Sequence, residues 1–103
     1  MSSQLETKPR PKKVNYHLIL FVAGDEPHSL NARKNLAEMR ESELGDRCTV
    51  EIVDVMQDFA PAVKHNILVT PTLLIAKPSP GAVVIGDLSD REKVRAALRL
   101  KDD

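Results

Sequence analysis

The sequence has one cysteine, Cys48, no tryptophan, and only one tyrosine and two phenylalanines. A single cysteine excludes an internal disulfide and points to a reducing compartment. It also excludes a Cys-x-x-Cys redox pair. His17, His28 and His65 stand apart from one another at no metal-ligand spacing, so neither a zinc site nor any other cofactor is expected. The four glycines, at 24, 45, 81 and 86, are isolated, which excludes a glycine-rich phosphate loop. No apolar run approaches the roughly 20 residues of a membrane span, and no apolar stretch with a cleavage site opens the chain. The reading is therefore a soluble, cytoplasmic protein with no membrane partner. An excess of one charge is lacking too: Lys plus Arg and Asp plus Glu number 15 each. Without a net field there is no general pull toward nucleic acid, while near-zero charge makes a homo-oligomer easier to form. Arg91, Arg95 and Arg99 form a basic helical stripe, but with so few aromatics to stack bases it reads as a solvated face.

What is present is enough for one folded unit. At 103 residues, with 42% apolar and 29% charged content, the chain has the size and composition of a single globular domain. Residues 1–14 are polar, basic and broken by Pro9 and Pro11, and are read as a disordered tail preceding a domain at 15–101. Tyr16-His17-Leu18-Ile19-Leu20-Phe21-Val22 is nearly all apolar, as a strand covered on both faces must be. Turn residues 23–27 end it. Ser29 is the expected N-cap of a helix carrying Leu30, Ala32, Leu36 and Met39 inward and closing at Gly45. Cys48–Val55 reads as a second strand, and a short helix from Asp58 takes Pro61 in its first turn. Thr72–Ala76 and Val83–Ile85 read as strands joined through Pro78-Ser79-Pro80-Gly81, a turn suited to a hairpin. Ser89 and Glu92 have capping-box spacing for a last helix with Val94, Ala97 and Leu98 on its buried side.

The order β-α-β-α-β-β-α is the thioredoxin topology, an α/β fold, and Thr70-Pro71 stands where such folds place a proline before the third strand. The chemistry of that fold is missing. The loop at which a thiolate would sit on a helix N-terminus reads Asp25-Glu26-Pro27-His28, and Cys48 begins a strand elsewhere as a small, partly buried hydrophobe. A binding module is left as the reading, with a thiol-independent thioredoxin-fold enzyme as the other class.

The runs Leu20-Phe21-Val22-Ala23-Gly24, Val53-Asp54-Val55, Ile67-Leu68-Val69-Thr70-Pro71-Thr72-Leu73 and Ile85-Gly86-Asp87-Leu88-Ser89-Asp90-Arg91-Glu92-Lys93-Val94 resemble the KaiB family. The resemblance covers roughly Tyr16 to Leu100. It implies a non-enzymatic regulator that binds a KaiC-type ATPase, sequesters KaiA where it exists, and times a clock or a stress response. The sensor domain of the SasA histidine kinase shares the fold, so a stand-alone module acting on a histidine kinase is the alternative. By the same resemblance the partner surface comprises Lys64, His65, Asn66, Ile75 and Lys77. The family also has a second, tetrameric state of order β-α-β-β-α-α-β.

Two departures from the family pattern stand out. Ala82-Val83 replaces a basic pair, and Ile75 stands where a lysine is common, which weakens electrostatic steering. Thr70, Pro71, Ala97 and Arg99 are the expected fold-state determinants. Ala97 and Arg99 stand where clock members tend to have glycine and aspartate. Alanine over glycine favours helix by about 0.8–1.0 kcal/mol, and a cation over an anion in the last turn by about 0.3–1 kcal/mol. The balance favours the thioredoxin-like state.

Overall fold

The computed structural model describes residues 14–100. All but the last residue of the expected tail, and Lys101 of the expected domain, lie outside them. The elements follow the expected order: β1 (Tyr16–Val22), α1 (Pro27–Met39) running into a π-helical turn (Arg40–Leu44), β2 (Cys48–Asp54), α2 (Ala60–Lys64), β3 (Thr72–Lys77), β4 (Ala82–Ile85) and α3 (Arg91–Leu98). The sheet order is β2-β1-β3-β4. β2 pairs parallel to β1, and β3 and β4 follow antiparallel.

β1 is central and apolar on both faces because both are covered. Leu18, Leu20 and Val22 meet Ala32, Leu36 and Met39 of α1 and Val94 and Leu98 of α3 in the main core. Ile19 and Phe21 point the other way, onto Ala62 of the short α2. The expected strands agree with the observed ones to within a residue or two, and Cys48 is buried in the main core.

The helix ends differ from the sequence reading. α1 starts at Pro27, and its N-cap is Glu26, whose carboxylate accepts from the amides of His28 and Ser29 at 3.1 and 3.0 Å. Proline at the first helical position fits that start. Ser29 lies inside the helix, fully buried, with its hydroxyl accepting from the Ala23 amide at 3.0 Å. Starting the helix three residues earlier also puts Ser29 in the inward stripe and leaves Leu30 46% exposed. At the other end, the Gly45 amide donates to the Arg40 carbonyl at 2.7 Å, and Gly45 turns the chain with φ +57°.

α3 is capped one residue later than expected. Asp90, not Ser89, accepts from the Lys93 amide, so Glu92 is a residue short of capping-box position. Ser89 instead serves the preceding turn, its amide donating to the Asp87 carboxylate at 3.0 Å. In that turn Gly86 (φ +116°) and Leu88 (φ +66°) swing the chain from β4 into α3 and bury Leu88. The Gly-Asp-Leu-Ser run is thus a β-to-α connector. Asn35 of α1 holds it by donating to the Asp87 carbonyl at 2.8 Å.

α3 ends at Leu98. Ala97 lies in its final turn, partly buried against the core, whereas Arg99 is the C-cap in the left-handed region (φ 59°, ψ 37°). Helix propensity therefore acts at Ala97 and not at Arg99. The Tyr16 hydroxyl, buried, donates to the Leu98 carbonyl at 2.9 Å and supplies one of the partners that a helix C-terminus lacks.

Candidate docking surface

Where a redox member of this topology carries its thiolate, this chain has a carboxylate. Glu26 already occupies the amides of the first turn of α1, and those hydrogen bonds, the His28 amide first, hold its pKa below the ordinary glutamate value. Nearby, Asp54 at the end of β2 accepts from the amides of Gly24 and Met56, both at 3.0 Å, and so pins the first loop to the turn before α2. Thr70-Pro71 is a cis peptide. Cys48 lies at the opposite end of its strand, its sulfur 3.9 Å from the Gly45 carbonyl oxygen. Among the described residues no group of three or more His, Cys, Asp or Glu could hold a metal ion. No described helix is long and apolar enough to cross a membrane.

The five residues expected to meet a partner do not all share one surface. Lys64 ends α2, His65 caps it, and Asn66 follows in the left-handed region (φ 59°). The His65 ring packs on Phe21 at 6.2 Å between centroids, tilted by 60°. Lys77 is brought to the same side of the sheet by an irregularity in the β1–β3 register, which sets it opposite His17 while Leu18 faces Ile75. Ile75 is 2% exposed and packs in the main core under α1 and α3. It shares the face of Leu18, opposite to the one on which Lys77 pairs with His17.

The α2 side also carries a feature that the sequence reading passed over. Met56, Phe59, Val63, Leu68 and Val69 are between 48% and 92% exposed, Leu68 the most. Phe59 and Val63 are four residues apart, so α2 turns them outward together while Ala62 seals the core beneath. The loop after α2 is tied back to the fold: the Ile67 amide donates to the Ala62 carbonyl (2.8 Å), the Thr72 hydroxyl to the Val69 carbonyl (2.7 Å), and the Gly86 amide to the Pro71 carbonyl (3.0 Å). Leu68 and Val69 are presented by an anchored loop. Large apolar side chains grouped in this way mark an interaction site more often than scattered ones do. The available signal was the i, i+4 pair Phe59/Val63 beside the run Ile67-Leu68-Val69, more apolar surface than a five-residue helix can bury.

The fold and the emptied thiol position together define a class: a thioredoxin-like α/β domain that keeps the scaffold and presents an apolar face. Solved structures agree on the fold. The N-terminal domain of SasA from Synechococcus elongatus superposes with a TM-score of 0.67 at 21% identity, covering 99% of this chain and 98% of that one. Mitochondrial thioredoxin 3 of Saccharomyces cerevisiae, in its oxidized form, gives 0.68 at 17% identity, covering 86% and 82%.

Sequence comparison is more specific. The KaiB domain model matches residues 19–100. The circadian clock oscillator protein KaiB of Trichodesmium erythraeum is 43% identical over 90 residues, 87% of this chain and 86% of that protein. KaiB1 of Synechocystis is 42% identical over 93 residues, covering 90% and 89%. The chain belongs to the KaiB family.

Proposed function

We propose that this protein is a non-catalytic, cytoplasmic regulator that docks on a KaiC-like ATPase within a clock or stress-timing system. The observation that carries the reading is the anchored apolar ridge on the α2 side, with Lys64, His65 and Asn66 at the C-terminal end of α2 and Lys77 on the same side of the sheet. Buried apolar anchors supply most of the affinity in such contacts, and rim cations chiefly set approach and orientation. The carboxylate at the N-terminus of α1 and the buried, remote Cys48 support a binding role over thiol chemistry.

The test is a pull-down against the host's KaiC-like ATPase, with and without ATP. Capture by wild type and loss of capture by Leu68→Glu support the reading. Equal capture of wild type and Leu68→Glu would move the interface elsewhere. Capture of a host histidine kinase or a KaiA-like protein, in place of the ATPase, would transfer the same surface to that partner. Insulin-reduction turbidity should match buffer alone, and turnover that Cys48→Ser abolishes would overturn the non-catalytic role.

A further inference from the structure

The other side of the sheet carries a second opening. β2 is an edge strand with β1 on one flank, and α1 lies far enough inward to leave Ile52 43% exposed and Val50 half-buried. Between α1 and β2 is a groove of about 600 Å³ floored by Leu36, Val50 and Ile52. That volume falls within the roughly 300–1,000 Å³ of small-molecule sites, which are mostly apolar with a few placed polar groups.

The polar groups here are Arg33, Arg40 and Glu41 on the helical wall. Arg33 and Arg40 are seven residues apart, two helical turns, and so share one side. Neither guanidinium has a hydrogen-bond or ion-pair partner among the described residues, in contrast to Arg95, which pairs with Glu43. Two unneutralised guanidinium groups beside an apolar floor fit a ligand with an anionic head and an apolar body, since arginine binds planar oxyanions in a two-pronged fashion. Glu41 on the same wall lowers the local charge to one net positive. That favours a monoanion over a dianionic phosphate.

We propose that this groove binds an amphipathic carboxylate, with an acyl or aryl body on Leu36, Val50 and Ile52 and its head between Arg33 and Arg40. The site is separate from the α2 ridge and independent of whichever protein docks there.

Decanoate is the probe, titrated into ¹⁵N-labelled protein. Saturable amide shifts at Arg40, Val50 and Ile52 are expected, with affinity reduced about tenfold or more when Arg33→Gln and Arg40→Gln are combined, about 1.4 kcal/mol or more. Both arginines are exposed, and an unchanged melting temperature of the double variant shows that the fold is intact. Decanol binding as tightly as decanoate, or a double variant that binds equally well, would overturn the carboxylate site. Shifts confined to Phe59, Val63 and Leu68 would place the probe on the ridge and overturn it too. An acidic, apolar peptide that protects the β2 edge amides from exchange where decanoate does nothing would reassign the groove to a partner's strand.

Discussion

The two faces of the sheet are built from the same kinds of residue and end in opposite conditions. On one face, α1 and α3 together close over Leu18, Leu20, Leu73, Ile75 and Val84, and apolar area stays open along the β2 edge at Val50 and Ile52. On the other, a five-residue α2 covers Ile19 and Phe21, and its N-cap Phe59 and its own Val63 stay exposed. Burial in the first case holds the fold together. Exposure in the second leaves apolar side chains in water, and the hydrogen bonds fixing residues 67–72 keep that surface in shape. The difference comes from helix length: eight and thirteen residues against five.

The sharpest test of that contrast is truncation on each side. Leu20→Ala should cost about 2–5 kcal/mol of unfolding free energy, because the cavity cannot fully collapse around a side chain with no exposed surface. Phe59→Ala should stay within about 0.5 kcal/mol, as substitutions on open surface do. Urea unfolding measures both. A comparable loss at Phe59 would mean that α2 is a structural lid and the ridge is no docking surface.

The second test reverses the ranking. In a confirmed complex, Leu68→Ala should weaken partner binding by about 2 kcal/mol, roughly thirtyfold, while leaving the unfolding midpoint in place. Calorimetric titration would read it. Unchanged affinity would leave the exposed ridge without a role in that complex.

These two tests also divide what the sequence made legible from what it hid. The strands, their order and the main core could be read because β1 is apolar at nearly every position and the Val/Ile runs are bounded by turn residues. Helix ends could not be placed as well. Ser29 and Ser89 are good caps by type, but Glu26 before Pro27 caps α1 through the His28 and Ser29 amides, and Asp90 caps α3 through the Lys93 amide. Ile75 was misplaced for a different reason. Thr72-Leu73-Leu74-Ile75-Ala76 hardly alternates, so its faces become visible only through the pairing of Ile75 with Leu18. Lys77 owes its side of the sheet to an irregularity that no residue type announces. Arg99 looked like a helix former, but the chain had already turned left-handed there.

A smaller effect concerns what keeps α3 closed over the first face. Tyr16→Phe removes the buried hydroxyl from the Leu98 carbonyl and should cost about 1–2 kcal/mol. Ala97→Gly should cost about 0.8–1.0 kcal/mol through helix propensity. If the second fold state that the family resemblance implies is accessible, that change raises its population about four- to fivefold. Arg99→Asp should add little by propensity, because a left-handed cap is outside the helix. NMR exchange peaks in the Ala97→Gly variant, and in the double variant with Arg99→Asp, would measure the shift. A far larger effect of Arg99→Asp would return the fold choice to the helix dipole.

The smallest expected effect lies at the emptied thiol position. Glu26 caps α1 through the His28 and Ser29 amides, and these bonds hold its pKa below the ordinary value. A carboxylate with a depressed folded-state pKa contributes its stability fully above the unfolded value and loses it as pH falls through the folded one. Asp87 behaves in the same sense, through the Ser89 hydroxyl first and then the Ser89 amide. Glu26→Gln keeps an acceptor oxygen but removes the charge that favours a helix N-terminus. The variant should therefore melt slightly below wild type at neutral pH, and the gap should close as the solution is acidified below the ordinary glutamate pKa. Asp87 is unchanged in the variant, so its own acid loss subtracts out of the difference. A gap that stays constant across that range would assign the cap to geometry alone. A gap that widens on acidification would contradict the direction of the Glu26 shift.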